Sequence, residues 1–440
     1  MNSAGMEYLE SRLMFGMVPG LESTFKICEA LGNPQESFRT IHVVGTNGKG
    51  SCSYYLSGVL QAHGLKTGLY TSPHLISLRE RIRVNDVPVF DADLDRLFLQ
   101  VKAAAETACV EPTFFEVVTV AAFLYYREQG VQVAVLEAGM GGRLDSTAVA
   151  RGNIAVVTSI GLEHTEVLGA TESAILREKM GVMPQGTAQG PDGTAQAKIF
   201  VVGGLSPELL QEAQDFAAAV EAEFLVPEIR EDIELPNLGR HYVENASLSL
   251  AAAKLMLDSD VAAGQSAADH YDDKLALKVL KTRSWPGRMQ QLFDAKGSLR
   301  FILDGTHNSH AARRLAETLD RYYPGQKFPC VFGALKDKDV EEMLRFLAPY
   351  VSEWHLVRTP YERFREPSEI AGILKKMGAV VASTGPLSRE VLDSVLDKVK
   401  TPALVTGSLY MIGEVIDLLK NDFDGLAFFR GLTKATNEHR

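Results

Sequence analysis

Seven residues, Gly45-Thr-Asn-Gly-Lys-Gly-Ser51, constrain this chain more than any other stretch. They follow a short β-branched run, Thr40 to Val44, and precede a stretch of helical character reaching about Ala62, so they read as the turn between a strand and a helix. Glycines at such a turn let backbone N–H groups close on phosphate oxygens, and the helix N-terminus adds partial positive charge. Gly45, Thr46, Asn47, Gly48 and Gly50 then form a cradle, Lys49 reaches the β- and γ-phosphates, and the Ser51 hydroxyl ligates Mg²⁺. The spacing departs from the common phosphate loop in one respect, since Gly50 intervenes between the lysine and the hydroxyl. A Gly-rich turn without function is the competing reading, and the flanking strand and helix weigh against it.

Two further apolar runs repeat the rhythm. Val131 to Leu136 ends at Glu137-Ala-Gly-Met-Gly-Gly-Arg143, and Ile154 to Ile160 ends at Gly161-Leu-Glu-His164. Strands that stop at polar, Gly-containing loops and continue into helices predict a parallel α/β sheet with ligands at the strand C-terminal ends. After Ser284-Trp-Pro-Gly-Arg288 a second series begins, with strands expected at 301–303, 330–332, 354–357, 379–382 and 403–406. The fold class predicted is therefore α/β, with an N-terminal phosphate-loop ATPase domain of mostly parallel sheet, residues 1–284, and a C-terminal Rossmann-like α/β domain, residues 285–440. The first 40 residues read as an amphipathic helical lead-in anchored by Leu9, Leu13, Phe15, Phe25 and Leu31. Residues 185–197, rich in Gly, Ala, Gln and Thr, read as a mobile surface insertion.

Composition excludes several partners. With 45 Lys and Arg against 56 Asp and Glu, the formal charge is -11, so the overall field repels polyanions and nucleic acid is not expected as a partner. An anionic substrate must be held by placed cations, helix N-termini or metal ions. No apolar stretch approaches the roughly 20 residues that span a bilayer. Four scattered cysteines (Cys28, Cys52, Cys109, Cys330) and an N-terminus without an export signal lead to the expectation of a cytoplasmic enzyme that does not engage membranes.

Other residues carry chemistry with alternatives open. Glu137, at a strand end, and His164, just beyond the next strand, could meet as oxygen and nitrogen ligands of a cation; taken alone, His164 is better explained as a buried, hydrogen-bonded histidine. Lys179 sits in the helical stretch from Thr171 to Gly181, where composition alone makes it a solvated charge. Asp304, His307 and Asn308 follow the run at 301–303, and a capped turn into a helix near Ser309 competes with a ligand-facing role. Arg81 and Arg83 lie on one side of an extended segment, equally open to a substrate acid or a surface ion pair. Lys336 to Asp339 reads as a solvated charge cluster at a helix start.

Six ordered motifs, G-T-N-G-K-G-S at 45–51, T-S-P-H-L at 71–75, E-R-I-R-V-N at 80–85, E-A-G-M-G-G-R-L-D-S-T at 137–147, W-P-G-R at 285–288 and D-G-T-H-N at 304–308, together resemble the folylpolyglutamate synthase/dihydrofolate synthase family of the Mur ligase superfamily. The resemblance runs from about residue 8 to about 420. It implies that Ser51, Ser72 and Glu137 hold one Mg²⁺ and that His164 joins Glu137 at a second. It implies that Lys179 is carbamylated into a carboxylate-like ligand of that second ion, that Asn245 approaches the adenine, that Arg288 acts on the phosphates of ATP, that Asp304 lies near the ribose and that His307 orders the site. Glu163, Tyr242, Ala148 and Ser309 depart from the family pattern without removing a proposed ligand.

The activity implied is an ATP-dependent ligation. The γ-phosphoryl group passes to a substrate carboxylate, and L-glutamate attacks the acyl phosphate. Lys49, Arg288 and two Mg²⁺ ions neutralise the moving charge. The expected substrates are dihydropteroate, folate, L-glutamate and ATP, handled by a bifunctional monomer. A monofunctional folylpolyglutamate synthase, a cell-wall amino-acid-adding ligase and a nucleotide-binding module without ligase activity are the competitors.

Overall fold

The computed structural model describes residues 3–13, 20–183, 188–189, 195–262, 270–398 and 401–432. The chain forms two compact units, one of residues 1–73, 79–234 and 242–283, the other of residues 74–78, 235–241 and 284–440. Two short segments that precede residue 284 therefore fold with the second unit.

In the first unit the strands are β1 (Arg39–Val44), β2 (Thr67–Tyr70), β3 (Ile82–Val84), β4 (Val87–Pro88), β5 (Val133–Glu137), β6 (Ile154–Val157), β7 (Ala188–Gln189), β8 (Ala195–Gln196), β9 (Lys198–Val202) and β10 (Ala222–Leu225). Eight of them form one sheet in the order β10-β9-β6-β1-β5-β2-β3-β4, parallel from β10 to β2 and antiparallel at the β3–β4 edge. β1, β5 and β6 are buried almost throughout, as strands covered on both faces must be. The chain leaves β1 and returns to the sheet on both of its sides, through β5 and β6, which makes the C-terminal end of β1 the topological switch point where α/β sheets bind ligands.

Local signals fix the flanking helices. Helix Phe114–Glu128 starts at a reciprocal capping box: Thr113 Oγ1 accepts from the Glu116 N–H, and the Glu116 carboxylate accepts from the Thr113 N–H at 2.7 Å. Its run Val117 to Tyr126 is apolar on all sides and buried on all sides. In the lead-in, helices Ala4–Ser11 and Glu22–Ala30 form as expected and Leu9 is buried. Phe25, expected as an anchor, is exposed, while Ile27 and Cys28 on the next turn face inward; Phe15 lies outside the described residues. Most of the 185–197 stretch also lies outside them; β7 and β8 pair antiparallel within it.

The second unit holds β11 (Gln290–Phe293), β12 (Leu299–Asp304), β13 (Phe328–Phe332), β14 (Val351–Arg358), β15 (Val381–Pro386) and β16 (Ala403–Thr406). They form a sheet in the order β11-β12-β16-β13-β14-β15, parallel except for β11 at the edge. Its core gathers Phe301, Leu303, Val331, Val405, Ile412 and Val415, and includes Leu75 and Ile76 from the 74–78 segment. Helix Ser309–Tyr322 is capped by Asn308, whose side chain accepts from the Ala311 N–H at 2.8 Å, the expected capped turn. Among the described residues no helix is long and apolar enough to cross a membrane.

Candidate active site

The loop after β1 is stitched to the end of β6. Thr46 N–H donates to the Ser159 carbonyl at 2.7 Å, and the Thr46 hydroxyl donates to the Gly161 carbonyl at 3.0 Å. The Asn47 carbonyl accepts from Thr158 Oγ1 at 2.7 Å and from Ser159 Oγ at 3.0 Å. Thr158 and Ser159 thus shape the loop, although no motif marked them within the run from Ile154 to Ile160. Gly45 has φ 149° and presses so closely on Thr158 Oγ1 that any Cβ would overlap it. Gly48, φ 87°, is the N-cap of helix Lys49–Ala62, and a Cβ there would lie 2.6 Å from Asn245 Oδ1. The first N–H groups of that helix therefore begin beside a residue with no side chain, the arrangement an anionic phosphate requires.

Two lysines converge on the same carbonyl. Lys49 Nζ donates to Gly45 O at 3.0 Å and Thr46 O at 3.3 Å, and Lys179 Nζ donates to Gly45 O at 2.7 Å. Lys179 is 4% exposed, which corrects the solvated reading that composition suggested for it: the helix Glu172–Met180 forms, but this side chain turns inward. Its pKa is lowered to about 7, chiefly by burial and next by the neighbouring Lys49 charge, with Glu163 and Asp145 pulling the other way. The amine is thus held near neutrality.

The loop after β5 brings a carboxylate to the same end of the sheet. Glu137 is the last residue of β5, paired with Val43 of β1, and is buried. Its Oε2 accepts the Ser72 N–H at 3.0 Å, which joins it to the segment after β2. Ser51, in the first turn of helix Lys49–Ala62, is buried as well. Asp145 organises the loop between: it accepts from Met140 N–H at 3.0 Å, Thr147 N–H at 3.0 Å and Thr147 Oγ1 at 2.6 Å. Gly142 packs against the Lys179 carbonyl so closely that no Cβ fits, and Arg143 donates to Glu178 through its backbone at 2.8 Å and its guanidinium at 2.7 Å. These contacts clamp the loop that follows Glu137 onto the end of the helix that carries Lys179.

His164 is exposed, at φ 50°, where the helix Thr165–Leu168 begins, so the buried-histidine alternative does not hold. Among the described residues no three His, Cys, Asp or Glu side chains gather as a metal cage. The Glu137 carboxylate, joined to the Ser72 backbone N–H, and the buried Ser51 hydroxyl are hard oxygen donors of the kind that suits Mg²⁺. The nucleotide and the metal both fit this donor set. Arg81 and Arg83, open to a surface role from sequence, are buried; Arg81 lies over the Phe114 ring and Arg83 Nε donates to the Glu80 carbonyl at 3.0 Å.

Within the second unit, Asp304 ends β12 with its carboxylate committed to backbone and hydroxyl donors: Met289 N–H at 2.8 Å, Thr306 N–H at 3.0 Å and Thr306 Oγ1 at 2.6 Å. It thereby ties the Trp285–Arg288 turn to the Gly305–His307 turn. The Arg288 guanidinium lies over Gly305, where a Cβ would sit 2.6 Å from Nη1. His307 Nδ1 is 2.9 Å from the Gly305 carbonyl. The Lys336–Asp339 cluster is largely exposed, and Asp339 caps helix Val340–Leu347, in line with its solvated reading.

Comparison with known proteins covers both units. Residues 43–253 match the Mur ligase middle domain, and residues 287–406 match the Mur ligase glutamate ligase domain. The dihydrofolate synthase/folylpolyglutamate synthase of Bacillus subtilis is 31% identical over 440 residues, covering 94% of this chain and 98% of that protein. Among solved structures, E. coli FolC in complex with DHPP and ADP superposes with a TM-score of 0.79 at 26% identity, covering 94% of this chain and 97% of that one. A bifunctional folylpolyglutamate synthase/dihydrofolate synthase with Mn, AMPPNP and L-glutamate bound gives a TM-score of 0.77 at 28% identity, with the same coverage.

Proposed function

Because this chain belongs to the dihydrofolate synthase/folylpolyglutamate synthase family of ATP-dependent, C–N bond-forming ligases, we propose that it joins L-glutamate both to dihydropteroate and to the terminal γ-carboxyl of reduced folates. The observation that carries this reading is the Gly45–Ser51 loop with Lys49 and Lys179 on one carbonyl and the buried Glu137 at the neighbouring strand end. A relative that covers nearly the whole chain, and structures bound to ADP, AMPPNP, Mn, DHPP and L-glutamate, support the substrates named.

In this reading the first unit holds the nucleotide. Gly45, Thr46, Asn47, Gly48 and Gly50 cradle the phosphates with backbone N–H groups, Lys49 swings from its loop carbonyls to the γ-phosphate, and Asn245 approaches the adenine. Ser51, Ser72 and Glu137 hold one Mg²⁺; His164, Glu137 and carbamylated Lys179 hold a second. Bound Mg²⁺ supplies charge neutralisation at the phosphoryl oxygens. Arg288 adds a cation to the transferring group, Asp304 and His307 serve the ribose and the order of the site, and a carboxylate oxygen of the substrate attacks the γ-phosphorus with ADP leaving. The glutamate nitrogen then attacks the acyl carbon, an amine proton is lost, and phosphate departs. Buried free thiols at Cys28, Cys52 and Cys330 suit a reducing cytoplasm, where we place the enzyme as a monomer.

The test is a pair of steady-state assays with ATP, Mg²⁺ and labelled glutamate, one with dihydropteroate and one with a reduced monoglutamate folate. Amide product from both is expected. Product from the folate alone would leave a monofunctional folylpolyglutamate synthase, and product from neither would overturn the ligase reading.

A further inference from the structure

The turn that presents Arg288 is held by a residue nearly fifty positions earlier in the chain. Asn237 belongs to the 235–241 segment that folds with the second unit, and it is buried. Its Oδ1 accepts the Trp285 N–H at 3.0 Å, while its Nδ2 donates to the Trp285 carbonyl at 3.3 Å and to the Arg288 carbonyl. One planar amide therefore closes both ends of the Trp-Pro-Gly-Arg turn. The turn needs such a hold, because Gly287 at φ 65° and Met289 at φ 43° flank Arg288 in the left-handed region, and for the non-glycine Met289 that conformation is strained. Asp304 braces the far side through Met289 N–H, and Gly305 N–H donates to the Gly287 carbonyl at 2.7 Å.

We propose that Asn237 is a positioning residue for Arg288: its amide sets the backbone from which the guanidinium projects over Gly305. The proposal rests on the role given to Arg288 above. Only an amide of this length offers one acceptor and two donors in a plane. Asn237→Asp keeps the shape but sets a carboxylate oxygen against two carbonyl oxygens, and Asn237→Ala takes the Asn237 partner from three part-buried backbone groups. A cation displaced by about 1 Å from a transferring phosphoryl group can cost on the order of a hundredfold in rate.

The experiment is a double-mutant cycle. Asn237→Ala, Asn237→Asp, Arg288→Ala and the Asn237→Ala/Arg288→Ala pair are assayed for kcat and for KM of ATP and glutamate, with thermal melts alongside. The expected result is a loss of tenfold or more in kcat for both Asn237 variants, with the KM for glutamate nearly unchanged. In the Arg288→Ala background the further loss is expected to be under twofold. Losses that multiply in the pair would show that Asn237 acts on stability or elsewhere and not through Arg288, as would an Asn237→Asp enzyme with wild-type kcat. A wild-type rate for Arg288→Ala would overturn the role of Arg288 itself and, with it, anything to be positioned. Asn237→Asp, which conserves volume, carries the comparison should Asn237→Ala fail to fold.

Discussion

A buried lysine beside a second lysine is an unfavourable arrangement unless something is gained from a neutral amine. Lys179 loses hydration and faces Lys49, so at neutral pH much of its population is the free base, and under the proposed carbamylation that base would take up CO₂, release one proton and become a negatively charged carbamate. That product exchanges a like-charge clash for an attraction to Lys49 and to metal. Lys179→Ala is therefore expected to bind ATP with an affinity near that of the native protein and to lose at least tenfold in ligation rate. Calorimetric nucleotide binding and steady-state rates check both halves. Carbon NMR with labelled bicarbonate should show the carbamate, and an active enzyme with unmodified Lys179 would refute the assignment.

At the scale of single elements, the helix Lys49–Ala62 is useful because of how it begins. Its N-cap, Gly48, combines a left-handed backbone with the Asn245 amide packed on its open face, so two independent constraints require the absence of a side chain. Gly48→Ala meets both: about 1–2 kcal/mol for a Cβ in the left-handed region, and displacement of Asn245. The expected effect is a rise of tenfold or more in the KM for ATP, with a smaller fall in melting temperature, since the clash lies at a helix end outside the sheet core. An unchanged nucleotide affinity would mean that the loop does not meet phosphate through these N–H groups.

For the molecule as a whole, the two units are not two stretches of sequence. Ile76 and Leu75 are buried in the core of the second unit, although more than 200 residues separate them from its main segment. Both tryptophans, Trp285 and Trp354, lie in that unit, so tryptophan fluorescence reports its unfolding alone. Ile76→Ala removes side-chain volume from a fully buried position and should destabilise the second unit by roughly 2–5 kcal/mol. The readout is a lower denaturant midpoint by fluorescence. A midpoint that stays in place would mean that the 74–78 segment contributes little to that core.

Much of the fold was legible because its signals are local. β-branched runs ending in glycine loops marked β1, β5, β6 and most of the second sheet, since parallel strands covered on both faces must be apolar throughout. The strands β2, β3, β4, β10 and β11 went unmarked, being short or at edges where packing and not composition decides pairing, and so did β9, which directly follows the 185–197 stretch read as an insertion. The phosphate loop was readable for the same reason, its glycines being demanded by backbone geometry at the positions themselves. What composition could not reveal was orientation. Lys179 looked like a solvated helix charge and Arg81 and Arg83 could equally have been surface ion-pair partners, yet all three are buried, because the direction of a long side chain depends on which neighbouring strand end or ring it meets. Asn237, Thr158 and Ser159 carried no signal at all. Their roles arise from hydrogen bonds to residues distant in sequence, and only the tertiary structure brings those partners within reach.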